Sequence, residues 1–306
     1  MGFMPSITSY YGISGPVPFV DVNVEADNLQ FLDPHAIRLA RGPQPFARDA
    51  IICADTFLHE VTNCVIKGTP SHVLRGENLL QHFEEPWETR LGMSETGFNG
   101  HGGADGIGTL IWETLNDNVS ALVRIGVLKQ LEDLPLFVEG VDRDITSDVT
   151  TRIVFGPLAR FTESMLAKYP EFTAGGHTVG TFRRQVWDPV AREWDEADFN
   201  LPVADGKPLL LVPVGWARAN LLMSAGRFYE TAVLSYAQLE TAARAKNGKL
   251  IKTPKDTLKK RDGLGRGRNT NYRVTFRAIE NEEDLLAAFK QFVASKYESP
   301  DSGQAA

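Results

Sequence analysis

Cysteine is nearly absent from the chain. Among 306 residues there are two, Cys53 and Cys64. The apolar spacing around them predicts one helix, and eleven positions at 1.5 Å rise set them roughly 16 Å apart. A disulfide needs Cα atoms within about 7 Å, so the pair is expected to stay reduced, in a cytoplasmic protein. Histidine is also scarce, at six residues. The run HEVTNC at 59–64 begins like a zinc-protease helix, but Asn63 stands where the second ligand is required, which excludes that reading. No apolar run approaches 18 residues, so no membrane span is expected. The first residues, MGFMPSITSYYGISG, lack the basic and apolar regions of a secretory signal. There is no G-x-S-x-G elbow for a serine nucleophile, and no internal repeat.

What is present describes an ordinary globular chain, with 42% hydrophobic and 23% charged residues. The length suits one large domain or two ordinary ones, and the net charge of -7 bears on solubility rather than fold. Alternation in FVDVNV (19–24) predicts a strand, and 28–35 a short strand or turn ahead of Pro34. From Arg48 onward, Ile51, Ala54, Phe57, Leu58, Val61, Cys64 and Val65 predict a helix that Gly68 and Pro70 end. Ser71 then caps a second helix. LFVEGV (136–141) reads as a short buried strand or turn. Asp144 is the expected cap of a helix that Gly156-Pro157 kinks.

Thr181 to Trp187 with a partner near Trp194 predicts a hairpin, and PLLLVPV (208–214) the strongest strand. Residues 228–245 predict a helix, 272–279 a strand, and Asn281 the cap of a last helix through Leu285, Leu286, Phe289, Phe292 and Val293. The expected class is α+β, helix-rich with a small mixed or antiparallel sheet. The expected parts are a mainly helical 1–170, an α+β stretch at 171–297 and a mobile tail at 298–306, all within reach of one domain.

Three stretches carry candidate chemistry. The first is ETRLGMSETGFNGHGGADGIGTLIWETL (88–115), in which Gly100, Gly102, Gly103, Gly106 and Gly108 lead into a helix. Glycines permit close backbone approach, and a helix start attracts anions, with His101 and Asp105 placed to move protons. No Walker lysine or complete G-x-G-x-x-G is present, and a plain surface turn accounts for the same composition. The second is Asp142, Asp144 and Asp148. Asp144 and Asp148 share a helix face with Thr151 and are candidate Mg²⁺ ligands; acids in a first turn also complement the helix dipole. The third is the basic segment 246–273. There Lys255, Lys259, Lys260, Arg261, Arg266 and Arg268 concentrate positive charge in an acidic chain, with glycines interleaved as GLGRGR and Tyr272 available to stack. Such a segment is a solvated loop or a contact for nucleic-acid phosphates.

Several of these stretches occur together and in order: ETRLGMS (88–94), the glycine-rich stretch, LPLFVEGVDRDITSDVTTRIV (134–154), GKPLLLVPVGWAR (206–218) and KTPKDTLKK (252–260). In this the chain resembles a family of uncharacterised bacterial proteins associated with mobile-element and phage-defence loci. Some longer relatives carry a restriction-endonuclease-like region after the shared part. This chain has no E-x-K strand after Lys260, so the resemblance implies no nuclease activity here, and Val214 stands where relatives have a lysine. It implies a nucleic-acid-associated component of such a system, with a protein partner from the same locus. The readings from other classes are an enzyme acting on a nucleotide or other phosphate ester with Mg²⁺, and an interaction scaffold with no site.

Overall fold

The computed structural model describes residues 5–26, 28–92 and 103–297, and their side chains except at 103–105. In chain order the elements are α1 (Ile7–Tyr11), β1 (Phe31–Leu32), α2 (Pro34–Leu39), α3 (Phe46–Lys67), α4 (Pro70–Leu79), α5 (Gly103–Glu113), α6 (Ser120–Arg124), α7 (Leu134–Phe137), α8 (Arg143–Ile153) and α9 (Phe155–Lys168). There follow β2 (Thr178–Asp188), β3 (Glu193–Ala204), β4 (Lys207–Pro208), β5 (Ala217–Arg218), α10 (Ala225–Phe228), α11 (Leu234–Glu240), β6 (Ala243–Arg244), β7 (Leu250–Ile251), α12 (Lys255–Leu258), α13 (Arg268–Glu280) and α14 (Leu285–Ser295). A π turn, Tyr229–Val233, joins α10 to α11 in one continuous helix. The fold is α+β. Helices predominate, and the strands of the described residues form small antiparallel sheets, β1-β5, β2-β3-β4 and β6-β7.

The centre is α3. Its apolar residues recur at helical spacing, so Ala50, Cys53, Phe57, Leu58, Val61, Cys64 and Val65 are buried along one stripe. Gly68 ends it in the left-handed conformation, its N–H bonded to the Cys64 carbonyl. Both cysteines are buried and free. The β2-β3 hairpin lies over α3 and sets Trp187 opposite Trp194, with ring centroids 5.7 Å apart. Phe57 meets both rings edge-on, at 5.0 and 5.6 Å. One hydrophobic cluster runs through residues on both sides of position 170.

Several local expectations give way to tertiary context. Residues 19–24 pair only at single bridges, Phe19 with Pro213 and Asn23 with Ser6. Residues 136–141 are not a strand: Pro135 opens α7, a single helical turn whose residues are all buried. Asp142 rather than Asp144 caps α8, accepting the Asp144 N–H at 3.2 Å. Thr69 precedes α4, with Pro70 in its first turn, and Asp284 rather than Asn281 caps α14.

The apolar run after Pro208 is an extended thread rather than a sheet strand. Its N–H groups go to unrelated partners: Leu209 to Pro202 O, Leu210 to Glu88 O, Leu211 to Thr162 Oγ1 and Val214 to Pro18 O. Residues 272–279, expected as a strand, lie in helix α13. Their β-branched and aromatic content misleads, because Asn271, Val274, Thr275 and Ala278 are buried at helical spacing.

Close packing also explains glycines that composition alone assigns to a loop. Gly103, Gly106 and Gly108 lie within α5. A Cβ on Gly108 would stand 1.9 Å from the Leu80 carbonyl oxygen. Gly108→Ala is therefore expected to lower stability by about 2 kcal/mol, although alanine is the better helix former. Urea unfolding of the variant measures this, and unchanged stability would show that the helices tolerate a side chain there.

Candidate functional site: an acidic helix start, a basic track and an arginine pocket

Helix α8 begins with the acidic residues. Asp142 is engaged as its cap, and the Thr151 hydroxyl donates to Ser147 O inside the helix at 2.8 Å. Asp148 is 8% exposed. Burial pushes its carboxyl up to about 8, and Asp144 and Glu85 add to the effect against the opposing charge of Arg152. Arg152 is held by the carbonyls of Glu84 and Glu85, each at 2.6 Å, and lies 3.6 Å from the buried Glu88 carboxylate. Among the described residues no three Asp, Glu, His or Cys side chains group as metal ligands.

The glycine-rich stretch reaches the start of this helix from one described end and the turn that precedes the helix from the other. A Cβ on Gly92 would stand 3.3 Å from Asp144 Oδ1, and one on Gly140 would stand 3.0 Å from Leu110 Cδ2 of α5. Gly92 is fixed by its N–H bond to Asn28 O, and the neighbouring Arg90 is buried and bonded to the carbonyls of Val24 and Trp87. Gly100, His101 and Gly102 lie outside the described residues. Asp105 falls within the first turns of α5.

The basic segment divides into side chains that are used and side chains that are free. Lys255 Nζ bonds Glu230 O. Lys259 pairs with Glu230 at 3.0 Å and Asp256 at 3.3 Å. Arg268 is a brace, donating to Pro135 O and Val141 O at 3.0 Å and to Glu139 at 3.2 Å. By contrast Lys260, Arg261, Arg266 and Arg273 are exposed, as are Arg244, Lys246, Lys249 and Lys252 on and beside the β6-β7 hairpin. The side chains of these residues make no hydrogen bond or ion pair within the described structure.

Their order in space follows from the backbone. The helix of residues 225–240 is about 24 Å long at 1.5 Å per residue. Residues 252–266 return beside it, with Gln238 bonded to Thr253 O, Lys255 and Lys259 to Glu230, and the Tyr229 hydroxyl to Leu264 O. The free cations therefore form a track from the hairpin to the start of α10.

At that end the track opens into a cavity of about 470 Å³. The starts of three helices meet there: Asp142 and Arg143 of α8, Ser224 to Arg227 at α10, and Gly267 and Arg268 at α13. Arg143 donates to Ala219 O and Asn220 Oδ1, both at 3.2 Å, and lies over the Phe31 ring. Arg227 donates to Leu222 O at 3.2 Å. Asp142 of the second sequence candidate and Arg266 and Arg268 of the third thus line one pocket, whereas Asp144 and Asp148 do not line it. The contributions of Arg143, Asn220, Arg227 and Asn271 are visible only in three dimensions. The one local signal was SAGR at 224–227, a polar residue and a glycine opening a helix.

A family model described as a domain of unknown function, DUF8370, matches residues 14–224, well over half of the chain, and the chain belongs to that family. The match ends where α10 begins, so the basic track lies beyond it. No curated protein and no solved structure matches the chain. Among the described residues no helix is long and apolar enough to cross a membrane.

The buried acid gives a pH test. Because the folded-state pKa of Asp148 is raised above its unfolded value, the folded state holds the extra proton between about pH 4 and pH 8. Stability then falls as pH rises through that window. Asp148→Asn removes the ionisation, and is expected to gain on the order of 3 kcal/mol over the parent at pH 9 relative to pH 5. Urea unfolding at the two pH values checks it. A difference independent of pH would mean that the carboxyl does not titrate in this range.

Proposed function

We propose that this DUF8370 protein binds nucleic acid along the basic track, as a cytoplasmic component of a bacterial defence or mobile-element system. One observation carries the reading. A chain of net charge -7 keeps a line of exposed, unpaired cations on one side of the helix of residues 225–240. Surface cations in an acidic protein ordinarily find carboxylates. Here Glu230 and Asp256 are engaged by Lys259 and Glu240 by Arg277, while Asp262, next to Arg261, makes no ion pair with the free cations within the described structure. A backbone with one phosphate per 3.4 Å of each strand supplies about seven over the length of the track.

The resemblance to proteins of defence and mobile-element loci supports the biological setting. The family match adds no activity to it. The Mg²⁺-dependent enzyme reading is weaker, because the described carboxylates do not gather as metal ligands.

An electrophoretic shift or anisotropy titration across salt tests the proposal. Binding is expected at low salt, with a slope of log K against log salt of about −4.5 for about five contacts on duplex DNA. The triple variant Lys246→Gln, Lys249→Gln, Lys252→Gln, all on exposed positions, is expected to fold normally. It should bind DNA of any sequence more weakly, with the slope reduced by about 2 to 3. Absence of binding to DNA and RNA at about 50 mM salt, or a slope untouched by the variant, overturns the reading.

A further inference from the structure

We propose that the arginine pocket at the head of the track holds the phosphate monoester of a nucleotide, either free or at the end of a strand. Only the strand-end source rests on the nucleic-acid reading. The pocket has two sources of unsatisfied donors. Gly267 precedes the 13-residue helix α13 and has no side chain to cap it, and the Ser224 side chain makes no capping bond to the helix of residues 225–240. Their first N–H groups are left to a ligand, and an anion at a helix start is favoured.

Arg266 is the second source. Its guanidinium makes no bond within the described structure, and it lies against the backbone of the α10 start. A Cβ on Gly226 would be 2.2 Å from its Nη2. Glycine at 226 thus leaves room for Arg266 beside the helix N-terminus, where a phosphate can take both.

Asn271 shows what else the ligand carries. It lines the same cavity and is 1% exposed. Its Nδ2 donates to Leu136 O at 3.0 Å and Ala225 O at 3.3 Å, which fixes the amide orientation. Its Oδ1 is buried with no donor. A buried acceptor of this kind calls for a hydroxyl or amine. The ligand then carries a hydrogen-bond donor as well as an anionic group, as a nucleoside monophosphate does. The cavity of about 470 Å³ lies within the usual range for small-molecule sites. Two carboxylates also line the pocket, and both are engaged, Asp142 as the cap of α8 and Glu139 by Arg268 at 3.2 Å.

Calorimetry on the full chain, with the four nucleoside 5′-monophosphates, their nucleosides and inorganic phosphate, tests the site. Anisotropy with 5′-phosphorylated, 3′-phosphorylated and unphosphorylated oligonucleotides separates its sources. A monophosphate or a phosphorylated end is expected to bind at least tenfold more tightly than its unphosphorylated counterpart. Arg266→Gln should abolish that preference. Gly226→Ala should do the same by displacing the guanidinium, with an unchanged or raised Tm because alanine favours the helix.

A free nucleotide bound without any oligonucleotide supports the pocket and overturns the nucleic-acid reading. Oligonucleotides bound equally whatever their ends overturn the pocket and leave the track. Inorganic phosphate bound as tightly as every nucleotide overturns the nucleotide assignment. Parental binding by both variants overturns the site.

Discussion

Two carboxylates buried side by side hold the distant parts of the chain in register. Glu132 and Asp133 are 1% and 0% exposed. Neither can be charged in the interior without a partner, and the partners come from opposite ends of the sequence. Glu132 receives His35 at 3.1 Å and Arg38 at 2.5 Å from α2. Lys290 of α14 lies 2.5 Å from Asp133 and also bonds Gln130. Burial alone raises a carboxyl pKa, yet the His35 and Arg38 contacts hold Glu132 down at about 2, so it is ionised. A pair of this kind adds little net stability over apolar packing, but removing one partner costs about 3–5 kcal/mol. Its effect is to specify which helices meet.

The pocket inherits its geometry from this arrangement. Asp33, next to His35, accepts the N–H groups of His35 and Ala36 at the start of α2 and that of Leu222 at 2.7 Å. Leu222 in turn offers its carbonyl to Arg227. Asp33, at the start of the helix that carries His35 and Arg38, therefore fixes the segment from which α10 begins. On the other wall, Arg268 ties the start of α13 to the carbonyl of Pro135 in α7, two residues after Asp133, and to that of Val141 beyond α7. The polar groups that are fully spent inside the protein aim those that are not.

Legibility in the sequence followed range. The long helix α3 was readable because its burial stripe repeats for many turns, and the β2-β3 hairpin because its two tryptophans bracket a turn. The thread at 209–214 was not readable as what it is. A fully buried extended segment has the composition of a central strand, and only its scattered hydrogen-bond partners distinguish the two. Helix α13 shows the opposite confusion, where Val274, Thr275 and Phe276 suit a strand by propensity and the burial of Asn271, Thr275 and Ala278 decides for helix.

The site was legible in pieces. The charge of 246–273 and the acids of 142–148 were evident as local composition. Which lysines and arginines are free was not, because Glu139 and Glu230, the partners that occupy Arg268 and Lys259, lie at long or intermediate sequence separation. Gly108 carried a signal of close approach, but the approaching group is the Leu80 backbone within the core.

The division of the pocket between two parts of the chain bears on how a function of this kind is distributed. Arg143, Asn220 and Ser224 fall within the stretch that matches the family, whereas Arg227, Arg266 and Asn271 follow it. The matched part supplies a rigid wall, held by α8 and the buried ion network. The remainder supplies the free guanidinium of Arg266, the orphan acceptor of Asn271 and the whole basic track. A chain that kept only the first part would retain Arg143, already committed to Ala219 and Asn220, facing Asp142. The overall acidity then has a role of its own. If the track binds a polyanion as proposed, the net charge of -7 disfavours contact with the rest of the surface and leaves the unpaired cations of the track to attract it.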